Sequence, residues 1–302
     1  VLNIQVIQII LLSFSYQNHP MSISRRSFIN LTLKGVMVIG AGNVVKCFAA
    51  TGFRLPPVED VLLRFALVSD GHYGQPGTEF DMHHDNVIGW LNKEHTQRGV
   101  EFTILNGDTF HNEPDRLPRA KKKWESLNMP LYVSHGNHDQ VDEAIWQNTW
   151  GYPLNYTFEK GDDVAFIVLD TATIKGDYVC PNAAYTKAQL DKYKSKKHLF
   201  VIMHITPRKW TGAGIDCPDI VDMFTKQANL KSIFHGHDHD EDNVKENDGK
   251  HYFWDAHIAG DWGTEYRGYR IVEVLKNGDV LTYQMNGKLD VRINENRIPP
   301  TP

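Results

Sequence analysis

The chain has 302 residues, 41% of them hydrophobic and 23% charged, with a formal charge of −5. That balance is ordinary for a globular protein, and the missing basic footprint argues against a nucleic-acid polymer as partner. Three cysteines are too few for a disulfide-built scaffold or a thiolate zinc cluster, so the fifteen histidines are the compositional feature to follow.

In chain order, residues 1–20 begin with Val and carry an apolar run too short to span a bilayer comfortably. Two readings are open for them: an over-extended start, with translation beginning at Met21, or a membrane-associated leader. Residues 21–50 resemble a twin-arginine export signal. They contain the pair Arg25-Arg26, a mildly apolar run from Leu31 to Val45, and a small-residue close at Cys47-Phe48-Ala49-Ala50. An ordinary amphipathic helix is the competing reading. Export implies the twin-arginine machinery as a partner, a bacterial periplasmic or extracellular location, and no stable membrane insertion after processing. In that compartment Cys180 and Cys217, both among turn residues, either bridge or remain buried free thiols.

From residue 60 onward, short β-branched runs end abruptly in polar clusters. They predict strands within 64–72, 102–108, 131–139, 165–170, 199–204 and 232–239, nearly continuous in apolar character as strands buried on both faces are. Between them the spacing predicts helices over 81–97, 119–128 and 186–197, the last opening on a capping box, Thr186 to Gln189. This alternation implies parallel crossovers. Hairpins are predicted over 156–168, turning at Gly161, and over 270–284, with a two-residue turn at Asn277-Gly278. The class is therefore α/β with mixed (α+β) sheets. No repeat, linker or low-complexity stretch divides residues 51–302, which read as one domain.

Five of the six predicted strand ends carry metal-binding side chains: Asp70 and His72; Asp108; Asn137 and His138; His204; His237 and His239. Ligands of open α/β sheets sit beyond the carboxyl ends of the strands. One histidine on a strand is usually packed or solvated, but five coincidences at equivalent ends are not. Two carboxylates, one able to bridge, with an amide oxygen and four imidazoles suit two borderline ions, of iron, manganese or zinc. Asp238, Asp240 and Asp242 begin like a calcium loop, yet Asn243 and Gly249 stand where Gly and Glu are required. They read as a solvated loop.

The ordered set Asp70-x-His72, Gly107-Asp108, Gly136-Asn137-His138-Asp139, His204 and Gly236-His237-x-His239 resembles the calcineurin-like metallophosphoesterases, over residues 64–270. The resemblance implies a four-layer α/β/β/α sandwich and a dinuclear centre. Asp70, His72 and His239 would hold one ion, Asn137, His204 and His237 the other, and Asp108 would bridge them. The implied reaction is hydrolysis of a small-molecule phosphoester, in which coordination lowers the pKa of a bound water from 15.7 to about 7 and the resulting hydroxide attacks phosphorus. His138 would protonate the leaving alkoxide as general acid, with Asp139 as its orienting partner.

The sequence departs from two branches of that family at His111, which stands where protein phosphatases have Asp and purple acid phosphatases have Tyr. GNHD is similar to the class III cyclic-nucleotide phosphodiesterase branch. Arg208 and His111 are candidate substrate contacts. Asn112, Trp210, Trp262 and Tyr266 lie in loops near predicted strand ends, to shape a pocket or simply to pack. The expected function is a phosphodiesterase, with a phosphomonoesterase or nucleotidase as the alternative. A metallo-β-lactamase site requires H-x-H-x-D-H, and here the last two residues are inverted. A binding scaffold that lost catalysis would lack a ligand or the acid histidine, and none is missing.

Overall fold

The computed structural model describes residues 56–300, together with a separate antiparallel pairing of Ile39–Gly40 with Asn43–Val44. The leader read over residues 1–50 otherwise lies outside the described residues.

Residues 56–300 contain twelve strands and five α-helices. In chain order they are β1 (Val61–Val68), α1 (Phe80–Arg98), β2 (Thr103–Asn106), α2 (Leu117–Trp124), β3 (Leu131–Ser134), α3 (Glu143–Trp150), β4 (Tyr156–Lys160) and β5 (Val164–Leu169). There follow α4 (Ala183–Lys192), β6 (His198–Met203), α5 (Pro218–Lys226), β7 (Leu230–His235), β8 (Val244–Asn247), β9 (Lys250–Trp254), β10 (Gly268–Leu275), β11 (Val280–Asn286) and β12 (Val291–Ile298). The strands form two six-stranded mixed sheets, ordered β12-β11-β10-β1-β2-β3 and β8-β9-β7-β6-β5-β4. The pairs β1–β2, β2–β3, β5–β6, β6–β7 and β7–β9 are parallel.

Strand periodicity explains the layers. On β1, Leu63, Phe65 and Leu67 turn to one face and Ala66 and Val68 to the other. The first set meets Phe102, Phe166, Phe200 and Phe234 between the sheets, where Phe65 stacks on Phe102 at 5.2 Å and meets Phe166 edge-on at 5.1 Å. The second set packs beneath α1 to α3, against Val87, Leu91, Trp124 and Trp146. Ile167 and Val201 on the far sheet pack beneath α4 and α5 through Leu190 and Phe224. The result is the α/β/β/α sandwich. Each fully buried phenylalanine between the sheets contributes about 1.5–3 kcal/mol.

Three expectations are corrected in detail, and the open alternative at Cys180 and Cys217 is resolved. The second predicted helix spans Leu117–Trp124, earlier than 119–128. The third starts at Ala183 because the Asn182 side chain accepts from the Tyr185 N–H, so Thr186 lies inside the helix and caps nothing. The β10–β11 turn is one residue longer than expected: Leu275 N–H donates to Asp279 O around Lys276, Asn277 and Gly278, with Gly278 at φ +92°. Cys180 and Cys217 form a disulfide. Among the described residues no helix is long and apolar enough to cross a membrane.

Candidate metal centre

The parallel strands deliver their polar ends to one place. Nε2 of His72 and Nε2 of His239 lie 3.0 Å apart, and Nε2 of His239 is 3.2 Å from Oδ1 of Asp70. Nε2 of His204 is 3.1 Å from Oδ2 of Asp108 and 3.6 Å from Oδ1 of Asp70. Two groups result, Asp70–His72–His239 and Asp108–His204–His237, each with donor atoms within 4.8 Å of one another. All six side chains are buried.

The loops that carry them are bent to do so. Asp70, His72, Asp108 and His237 all have positive φ, at 55°, 39°, 52° and 68°. Such backbone costs about 1–3 kcal/mol per residue and persists where the surroundings over-determine it. Two glycines supply the room. A Cβ on Gly107 (φ +79°) would sit 2.3 Å from Nδ1 of His204, and one on Gly136 would sit 2.3 Å from Oδ1 of Asp108.

Hydrogen bonds around the rim aim the free lone pairs inward. His204 donates from Nδ1 to Asn106 O at 2.8 Å, which points Nε2 at the carboxylates. Asp108 accepts the His138 N–H on Oδ1 at 2.8 Å, which frees Oδ2. Asp70 accepts the His237 N–H at 3.0 and 3.1 Å and the hydroxyl of Ser69. Four buried atoms then remain without a hydrogen bond of ordinary geometry, Asp108 Oδ2, Asn137 Oδ1, His204 Nε2 and His237 Nε2, although Asp108 Oδ2 and His204 Nε2 face each other at 3.1 Å. An orphaned buried polar atom costs about 1–3 kcal/mol. Three of these residues, Asp108, His204 and His237, form one ligand group, which suits a cation.

The electrostatics agree. Burial pushes His237 down to about 4 and His72 well below the ordinary histidine range, so both rings present neutral donor nitrogens. Burial also opposes a charge on His204, but Asp108 and Asp70 outweigh it and push that ring up to about 10. The paired carboxylates demand positive charge, which ions would supply in place of a proton.

The other candidate residues divide. His138 lies at the rim, its Nδ1 2.6 Å from Oδ1 of Asn112 and its ring stacked on His111 at 4.9 Å. His111 also approaches His72, Nδ1 to Nδ1 at 3.0 Å. Asp139 is not the partner of His138. It is fully buried and accepts from Thr109 N–H at 2.8 Å, Thr109 Oγ1–H at 2.7 Å, Phe110 N–H at 3.2 Å and Gly136 N–H at 2.9 Å. Those bonds tie the loop of Asp108 to the loop of Asn137, a positioning task that spacing alone did not disclose.

Arg208 is also elsewhere. It donates to Asn247 Oδ1 at 2.7 Å and lies over the Trp210 ring, which packs on Tyr252 and Trp254 in the helix-side core. Asp238 is buried and accepts from Trp254 Nε1–H at 2.9 Å, so the acidic stretch is not wholly solvated. His235 turns away, its Nδ1 3.2 Å from Met203 O and its ring beside Tyr252 and Trp254. Asn112 and Tyr178 are the residues whose parts the sequence did not reveal. Asn112 sits at φ +61°, a conformation Asn tolerates, and that is the signal its position carried.

A two-sheet sandwich that gathers two carboxylates, an amide and four imidazoles at one edge defines a dinuclear metallohydrolase. The chain belongs to the calcineurin-like phosphoesterase family, whose pattern residues 63–241 match, and is a metal-dependent phosphoric ester hydrolase with a dinuclear centre. Its fold is similar to that of a dimetal phosphatase from Danio rerio, at 11% identity and TM-score 0.67, covering 80% of this chain and all of that one. It is similar also to GAP50, the anchor in the inner membrane complex of Plasmodium, at 16% identity and TM-score 0.60, covering 80% and 89% of the two chains. A third similar structure is purple acid phosphatase PPD1 from yellow lupin, at 11% identity and TM-score 0.54, covering 80% and 54%. No curated protein sequence matches the chain significantly.

Proposed function

We propose that the chain is an exported phosphodiesterase. Asp70, His72 and His239 would hold one ion and Asn137, His204 and His237 the other, with Asp108 available to both. The two buried groups, Asp70–His72–His239 and Asp108–His204–His237, carry this reading. Two bound ions supply charge neutralisation at the phosphoryl oxygens and an acidified water as nucleophile.

The chain's own residues do the rest. Asn112 accepts from the Nδ1–H of His138, which leaves Nε2 to the substrate, and the imidazolium form gives its Nε2 proton to the departing alkoxide, ending as the neutral Nδ1–H ring. His111, stacked on His138, keeps the ring from turning away. Asp139 holds the two ligand loops together and takes no part in proton transfer.

The diester preference rests on Arg208. A monoester dianion needs positive charge beyond two ions, and the arginine best placed in sequence to give it is engaged by Asn247 and Trp210. His111 is the observation on the other side, since an extra imidazole beside His138 would suit a monoesterase. A non-catalytic scaffold is disfavoured because this chain has every ligand and the acid histidine.

The decisive experiment measures rates on bis-(4-nitrophenyl) and 4-nitrophenyl phosphate against metal content, with Asp108→Asn as control. Faster diester cleavage at two ions per chain, lost with an ion in the control, is expected. Faster monoester cleavage would select the nucleotidase alternative, and no turnover at full occupancy would leave the scaffold.

Export is supported by the Cys180–Cys217 disulfide, which persists in oxidising compartments. Arg25→Lys with Arg26→Lys should retain the protein in the cytoplasm. Unchanged secretion would require a different leader.

A further inference from the structure

We propose that Tyr178 and Trp262 form the two walls of the substrate mouth and select phosphoesters bearing a flat aromatic group, an aryl ring or a nucleobase. They are the only exposed aromatic side chains among the described residues, at 43% and 49% exposure, while every other Phe, Tyr and Trp there is buried or half-buried. Both rest on histidines of the centre. Trp262 stacks on His239 at 4.5 Å with 7° between the planes, and Tyr178 meets His237 edge-on at 4.8 Å and 89°.

His239 and His237 belong to different ligand groups, and those groups share the Asp70–His204 contact of 3.6 Å. A phosphoryl group seated between them therefore has one ring near each side, with uncovered aromatic surface that a flat substituent would bury. Stacking of a base on an aromatic side chain contributes about 1–3 kcal/mol and tolerates any ring with a π-face.

The walls are fixed in place before any ligand arrives. Val179 N–H donates to Thr171 O at 2.9 Å, Tyr178 bridges to Ala172, and the Cys180–Cys217 disulfide ties the next turn to the start of α5. On the other side Arg267 donates to Thr264 O at 3.1 Å and Gly260 O at 3.2 Å, and Thr264 N–H donates to His239 O at 2.9 Å. Trp262 hangs from that pinned loop. Rigid aromatic surfaces lose little entropy on binding.

Rings that only shielded the ligand histidines would be indifferent to the substituent on phosphorus, and that difference is measurable. The inference uses the hydrolase reading only for the seat of the phosphoryl group, so the test reads binding. The metal-loaded full chain is titrated calorimetrically with methylphosphonate, phenylphosphonate and an adenosine 5′-methylenephosphonate. The aromatic phosphonates should bind about tenfold tighter than methylphosphonate, and whichever of the two is tighter distinguishes a simple aryl group from a base. Trp262→Ala and Tyr178→Ala, compared at equal metal content, should each lower that ratio towards one, and Trp262→Phe should restore it. Equal affinity of all three probes for the unaltered protein, or a ratio that survives both alanine substitutions together, overturns the proposal. An intact aryl preference in a protein that cleaves no nitrophenyl diester would overturn the phosphodiesterase reading and leave this one standing.

Discussion

The side-chain oxygen of Asn112 lies 2.6 Å from Nδ1 of His138 and also accepts from Nε2–H of Gln140 at 3.3 Å. An amide oxygen only accepts, so the imidazole must carry a proton on Nδ1 and offer Nε2 to a substrate. Removing that acceptor should uncouple the ring without disturbing the ligand set. Asn112→Gly tolerates the left-handed backbone and should lower kcat on alkyl diesters about tenfold, against about 10²–10⁴-fold for His138→Ala. With 4-nitrophenoxide, which leaves without a proton, both effects should shrink. Paired rate measurements on the two ester classes check it.

Asp139 should behave as a structural acceptor and not as an acid. Asp139→Ala strips partners from three buried backbone N–H groups and the Thr109 hydroxyl, each lost acceptor costing about 1–3 kcal/mol. We expect a large drop in the urea midpoint and weaker metal retention. The ratio of alkyl to nitrophenyl rates, which reports proton donation, should stay where it was.

The Cys180–Cys217 disulfide closes a loop across a sequence separation of 37, which stabilises by about 3–4 kcal/mol in the chain-entropy account. Cys180→Ser with Cys217→Ser should lower the melting temperature. It should also free the turn bearing Tyr178 and so weaken the preference for aromatic phosphonates. Calorimetry of the double variant reads both.

Far from the centre, Asp279 at the β10–β11 turn accepts from Arg297 Nε–H at 3.1 Å and from Asn277 Nδ2–H at 2.8 Å. Burial opposes its charge, but Arg297 and Asn277 prevail and hold the carboxyl below its usual 3.8. A carboxyl lowered in the folded state binds fewer protons there than when unfolded, so its contribution is complete above 3.8 and is lost as pH falls through the lower folded value. Arg297 is mostly exposed, so the contribution is about 1 kcal/mol or less. Asp279→Asn should lower the urea midpoint near neutral pH and flatten its decline below about pH 4.

The site was more legible in the sequence than the rest of the fold, for a physical reason. Metal ligands must be His, Asp or Asn, and they follow apolar runs at strand ends, so Asp70, Asp108, His204 and His239 stand out in a single chain. His235 is the last residue of β7 and packs beside Tyr252, whereas His237 and His239 lie past the end of that strand. Loops obey no period. Nothing in the spacing of Asp139 distinguishes a partner of His138 from an acceptor of backbone N–H groups, and nothing around Arg208 announces that its guanidinium is taken up by Asn247. The hairpin of β8 and β9 was missed although Asp248-Gly249 has positive φ at both residues, the usual turn for such a pair. Its first strand, VKEN, is too polar to announce itself beside an acidic stretch, and the second, KHYFW, is short.

The ligand carriers are divided between the sheets. Asp70, Asp108 and Asn137 follow β1, β2 and β3 of one sheet, whereas His204, His237 and His239 follow β6 and β7 of the other. Ions gripped by both would act as a clasp across the seam of the sandwich, adding their binding energy to the cohesion of its halves. Chelation should then loosen both sheets together, with amide exchange quickening at Val68, Asn106, Met203 and His235 in concert while the strand ends at the opposite rim stay slow.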